Sequence, residues 1–251
     1  MRARGSRLPA LAVLAVLAVL AVLAAGCTDD PRPSARGPLT QQLPPPAETP
    51  GFRHDVAVPR EDLDAAHVDV VSGATSVTVR IADLGTELVR ASTPEDSQVA
   101  PVVVRDGAVV RVSLASTGLS GPADLTVLLD RQVRWRVRLS GGASSEVLDL
   151  RGGRVDGVDL AAGADRIELS LPEPRGAVPI RMSGGASDFT VHLPAGVAAG
   201  VRVGGGAGSV VVDGVRRTGL AGGTTVRSSD AADRYDIDAA AGVSSLTVDR
   251  S

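Results

Sequence analysis

The chain lacks lysine, has a single cysteine, and draws only 2% of its 251 residues from the aromatic types. One cysteine, Cys27, excludes an intrachain disulfide framework and any cysteine-rich zinc site. All 26 basic residues are arginine, which with the excess of Ala, Val and Gly reads as a G+C-rich coding bias, not as function. The four aromatics are Phe52, Trp135, Phe189 and Tyr235, too few for the stacking platforms common in sugar-cleaving clefts. Formal charge is −3, but residues 1–26 hold Arg2, Arg4 and Arg7 and no acid, leaving 23 Arg against 29 acids in the rest. A mildly acidic domain lacks the concentrated positive face that nucleic-acid backbones require, so no nucleic-acid partner is expected.

Catalytic signatures are missing as well. No Gly-x-Ser-x-Gly elbow, His-Glu-x-x-His pair or Walker loop occurs. The three histidines, His54, His67 and His192, are scattered. They read as solvated imidazoles, so neither a metal site nor a cofactor is expected.

The first segment is informative. Arg2, Arg4 and Arg7 precede an apolar run from Leu8 to Ala25, and small residues lead into Gly26-Cys27. This is the pattern of an export signal. Its 18 apolar-run residues also reach the length of a membrane-spanning helix, which leaves a retained signal anchor as the competing reading. Leu23-Ala24-Ala25-Gly26-Cys27 resembles the bacterial lipobox, with Ala24 in place of the usual Leu. That resemblance implies cleavage between Gly26 and Cys27 and acylation of the Cys27 thiol. Residues 1–26 are thus expected to be a lipoprotein signal, and the mature chain to sit on the extracytoplasmic face of the cell membrane. Two acyl chains anchor a protein stably where one holds it marginally. From Thr28 to Gly51 there are seven prolines in 24 residues, so residues 27–54 are expected to form an extended, disordered tether.

Residues 55–251 carry a repeat. Gly121, Gly142, Gly163, Gly185 and Gly206 are spaced by 21, 21, 22 and 21 residues, each followed by a short alternating run. Aligned, the runs give one column of Leu125, Ile167, Phe189 and Val210 and a second of Val127, Leu148, Leu169, Val191 and Val212. Period-2 alternation marks strands with one buried face. Before each turn lies another short strand, as in Val137-Arg138-Leu139 and Ile180-Arg181-Met182. The Gly-Gly-Ala-Ser corners suit strand-spaced stacking, where bulky side chains have no room and a sharp turn calls for positive φ. Gly204–Gly208 falls on such a corner ahead of a strand, where a phosphate loop would need a helix. Val68–Val70 and Ile237–Ala239 match the register from outlying positions. Val102–Val110 reads as a hairpin closed by Asp-Gly, and residues 215–236 as an irregular insertion or a distorted rung. The period predicts an all-β stacked domain in which consecutive repeats are neighbours.

The corners, the 21-residue period and the closing Ala241–Val248 resemble the bacterial toast-rack domains, right-handed single-stranded β-solenoids. The resemblance implies an adhesin-like envelope protein, in a family with some members linked to cell-wall stress responses, and brings no catalytic residues.

Arg134, Arg136 and Arg138 alternate with Val133, Trp135 and Val137, placing a basic stripe on one strand face. It is a candidate contact for anionic wall polymers, lipid headgroups or an envelope protein. The column through Arg138 reads Asp69, Arg138, Asp159, Arg181, Arg202, Asp238, a mixed-sign ladder with Arg181 and Arg202 as like-charged neighbours. Glu146 interrupts an otherwise apolar column, for which a local register shift or a place at the end of the core is expected. The function these features predict is non-catalytic binding or scaffolding at the envelope. The alternatives are a polysaccharide-acting β-helix enzyme and a solute-binding lipoprotein.

Overall fold

The computed structural model describes residues 51–250; the leader, Gly26, Cys27 and the linker as far as residue 50 lie outside the described residues. The chain runs through β1 (Asp55–Pro59), a corner-joined pair β2 (Ala65–Val70) and β3 (Ala74–Ala82), then β4 (Glu87–Ser92) and β5 (Val99–Asp106). Five more pairs follow: β6 (Val109–Ser116) with β7 (Asp124–Asp130), β8 (Arg134–Leu139) with β9 (Ala143–Asp149), β10 (Arg154–Leu160) with β11 (Ala164–Ser170), β12 (Ala177–Met182) with β13 (Ala186–Leu193), and β14 (Ala198–Val203) with β15 (Ala207–Val212). After β16 (Val215–Leu220) and β17 (Thr224–Arg227), the pair β18 (Arg234–Ala239) and β19 (Val243–Arg250) completes the fold.

Each pair places its first strand in a nine-stranded sheet and its second in a ten-stranded one. Between the sheets the inward residues form the core, with Val79, Leu148, Leu169, Val191 and Val248 all fully buried. Burying such a side chain stabilises by roughly 1.5–3 kcal/mol, which is why the period-2 pattern dictates which face turns inward. Trp135 is buried here and donates its Nε1–H to the Asp130 carbonyl at 2.8 Å.

The stacking order is not the chain order. In the ten-stranded sheet it runs β7, β3, β9, β11, β13, β19, β15, and the nine-stranded sheet repeats it with β6, β2, β8, β10, β12, β18, β14. Chain order runs unbroken through the three pairs from β8/β9 to β12/β13, where Val137 meets Val158 and Val158 meets Ile180, and it is broken between β6/β7 and β8/β9 and between β12/β13 and β14/β15. The outlying β2/β3 and β18/β19, legible in the sequence as matching segments, are inserted one pair inside each end. The 21-residue spacing from Gly185 to Gly206 therefore joins strands that are not neighbours.

Two patterns explain the insertion. The outward row on the nine-stranded sheet becomes Arg111, Asp69, Arg138, Asp159, Arg181, Asp238, Arg202, alternating in sign throughout. The expected like-charged contact of Arg181 with Arg202 does not occur, because Asp238 stands between them. The corners alternate too, in the order Ser72, Gly141, Ala162, Gly184, Ala241, Gly205. A Cβ on Gly184 would lie 2.0 Å from the Ala162 carbonyl oxygen, and one on Gly141 2.2 Å from that of Ser72. At this corner position every residue with a side chain is thus faced by a glycine. Positive φ is not the reason for these glycines: among Gly141, Gly142, Gly184, Gly185, Gly205 and Gly206 only Gly206 has it, at 94°.

Both ends are capped by antiparallel strands, so the sheets are mixed and not of one parallel direction. β4 and then β1 cover β7, β5 covers β6, β16 covers β15 and β17 covers β14. The expected hairpin is β5/β6, turning at Gly107 with φ 57°. The irregular stretch after residue 214 supplies β16 and β17. Capping strands satisfy the open edge that a stack of parallel strands would leave.

Candidate functional site

On the outward face of β8, Arg134, Arg136 and Arg138 alternate with the buried Trp135 and Val137, as the sequence pattern requires. Their partners differ. Arg138 Nη1 donates to Asp159 Oδ2 at 2.9 Å, and Arg134 Nη1 lies 3.5 Å from Asp156 Oδ2. Arg136 has no acidic partner within ion-pair distance among the described residues. It is flanked in register by His67 and by Gly157.

A second arginine row begins one step along. Arg154 on β10 is the direct cross-strand neighbour of Arg134, and its guanidinium donates through one nitrogen to the Gln132 carbonyl. Arg175 rises from the segment after β11. With Arg134, Arg154, Asp156, Glu173 and Pro174 it lines a cavity of about 610 Å³. The segment carrying Arg175 is tied at both ends. Tyr235 donates its hydroxyl to the Pro172 carbonyl at 2.9 Å, Gly176 N–H donates to Asp233 Oδ1 at 2.6 Å, and Arg234 N–H donates to the Gly176 carbonyl at 3.0 Å. Burial pushes the Tyr235 phenol well above its ordinary value, so the hydroxyl stays a donor. The groove wall therefore depends on the inserted strand β18. Sequence reasoning found Arg134 from its alternation but missed Arg154 and Arg175. Each lies outside the stripe, and only strand pairing and the tied loop bring them to it.

Glu146 corrects the sequence expectation. There is no register shift and no end of the core at this position: Glu146 sits in the inward column between Val77 and Ile167 and is 0% exposed. Neither carboxylate oxygen has a hydrogen-bond partner. Burial raises its pKa to about 8, so the acid form is favoured at neutral pH. The inward residues of β3 and β11 beside it, and of β2, β8 and β10 across the core, are apolar, so no charge faces it.

The histidines stay apart. His54 hydrogen-bonds Thr93 Oγ1 at 2.9 Å, and His67 Nε2 is buried without a partner. His192 lies on the outward face of β13, as read from its even position, with Nδ1 2.6 Å from Asp249 Oδ1 and Nε2 3.5 Å from Glu168 Oε1. Its neighbours are thus carboxylates on both sides.

No protein-family model matches the chain, and no curated protein matches its sequence. Among solved structures, a "putative cell adhesion protein" from Clostridium sporogenes aligns with a TM-score of 0.53 at 15% identity, over 78% of this chain and 98% of that one. A "putative adhesin" from Bacteroides fragilis aligns over 79% and 99% with a TM-score of 0.23 at 9% identity. The likeness to the clostridial protein is one of fold: an all-β chain of many strands arranged in two sheets.

Proposed function

We propose that this chain is an exported lipoprotein, anchored through acylated Cys27 to the extracytoplasmic face of the cell membrane. Its β-domain, read as a toast-rack-like solenoid with interpolated end rungs, is a non-catalytic binding or scaffolding module of the cell envelope. The observation that carries the binding role is the outward face of the nine-stranded sheet. Seven parallel strands there set Arg and Asp alternately in one row, a polar surface suited to an extended partner. Small-substrate sites are by contrast concave and largely apolar. The adhesion-related name of the clostridial structure agrees with this reading.

Intact mass and membrane fractionation of wild type beside Cys27→Ala test the anchor. Wild type is expected to begin at an acylated Cys27 and to fractionate with membranes, and the variant to keep its leader or be released. An unmodified Cys27 on a chain retaining residues 1–26 overturns the lipid anchor. Turnover of a wall polysaccharide by the purified protein would overturn the non-catalytic role.

A further inference from the structure

Arg134 and Arg154 rise from adjacent strands in direct register. At strand spacing, about 4.8 Å, two guanidinium groups repel unless something negative lies between them. Asp156 is the acid within reach of Arg134, and Arg154 spends one nitrogen on a neutral carbonyl. Arg175 approaches the same space from a loop held by three hydrogen bonds, so its backbone is already positioned before any ligand arrives. Three guanidinium forks thus line one cavity with two carboxylates.

We propose that this groove binds an oxyanion, specifically one phosphodiester unit of a polyol-phosphate polymer of the envelope; the envelope source rests on the export reading above, and the oxyanion site does not. Arginine forks match the paired oxygens of such a group. The cavity exceeds what a lone ion fills and has room for the neutral units flanking it. Asp156 and Glu173 beside the three arginines leave one net positive charge, which a single phosphodiester matches, and nucleic acid is disfavoured because the chain after residue 26 holds 23 Arg against 29 acids. A membrane surface is disfavoured because the rim residues are Glu173, Pro174 and Arg175, with no exposed large apolar side chain to enter the acyl region.

Calorimetric titration of the full-length protein in neutral-detergent micelles, with poly(glycerol phosphate) as the probe, tests the site. Binding is expected to weaken as salt is raised, and Arg154→Gln and Arg175→Gln each to reduce affinity about tenfold. Arg217→Gln, on exposed β16 at the far end of the other sheet, is expected to leave it unchanged, with all three variants melting like wild type. Absence of binding, or equal binding by the double variant Arg154→Gln/Arg175→Gln, overturns the proposal. Tighter binding to phosphatidylglycerol vesicles than to the polymer overturns it in favour of a lipid surface. If the polymer binds as expected but fractionation places the protein inside the cell, the groove stands and the envelope assignment falls.

Discussion

Arg181 and Asp238 face each other in register across β12 and β18, although five strands, β13 to β17, lie between them in the chain. On its other side Asp238 meets Arg202. One carboxylate from the last strand pair thus separates two arginines that chain order alone would bring together. The corner of the same pair places Ala241 between Gly184 and Gly205. Charge and steric size therefore select the same order, and each has a test.

Asp238→Arg sets three arginines side by side. Each like-charged cross-strand pair costs roughly 0.2–1 kcal/mol, so the variant is expected to lose about 1–2 kcal/mol in urea denaturation, with part recovered in high salt. Asp238→Asn should lose less. A salt-insensitive loss of the same size in both variants would show that the row's charges are not what position β18.

Gly184→Ala places a methyl group 2.0 Å from a backbone oxygen that has no room to yield. A cost of about 3 kcal/mol is expected, the upper end for overpacking. Gly152→Ala, where the nearest atom is a side-chain methyl of Ile81 at 3.6 Å, should stay within about 0.5 kcal/mol of wild type. Equal denaturation midpoints for the two variants would refute the corner argument.

Glu146 predicts a pH dependence with a definite sign. Its pKa is raised from 4.5 to about 8 in the fold, so the folded state holds a proton that the unfolded chain releases. Stability is then greatest below the unfolded pKa and falls as pH rises from about 4.5 through about 8, by an amount on the order of 5 kcal/mol. Glu146→Gln removes the proton release and should flatten this slope. Glu146→Leu, which matches Leu125 and Leu246 in the same column, should also be more stable than wild type at pH 7. Denaturation midpoints at several pH values check both; a wild-type slope preserved in Glu146→Gln would assign it elsewhere. Asp149, held low by its hydrogen bonds from Arg151, gives the opposite slope at acid pH, below the Glu146 window.

Tyr235→Phe removes the hydroxyl that holds the Pro172 carbonyl. The orphaned carbonyl should cost about 1–3 kcal/mol, measured by thermal or urea unfolding. Because that bond ties one end of the Arg175 segment, anion affinity of the groove should fall as well. Unchanged stability would mean that the buried phenol contributes by packing alone.

Period-2 alternation was enough to reveal nearly every core strand and its inward face, because burial of alternate side chains is a local consequence of strand geometry. Val68–Val70 and Ile237–Ala239 were recognisable as equivalents of the central repeats for the same reason. Their places in the stack were not, since the period records distance along the chain and says nothing about which strand enters between two others. Glu146 was legible as an exception, yet its full burial is a property of the apolar residues of β2, β3, β8, β10 and β11 around it. Arg134 was visible from alternation, whereas the groove exists only because pairing sets Arg154 beside it and Tyr235, from the inserted β18, fixes the wall carrying Arg175. The sequence by itself determined strand, face and corner, which depend on residues close in the chain. The tertiary structure decided order and site, which depend on steric fit and charge between segments far apart in it.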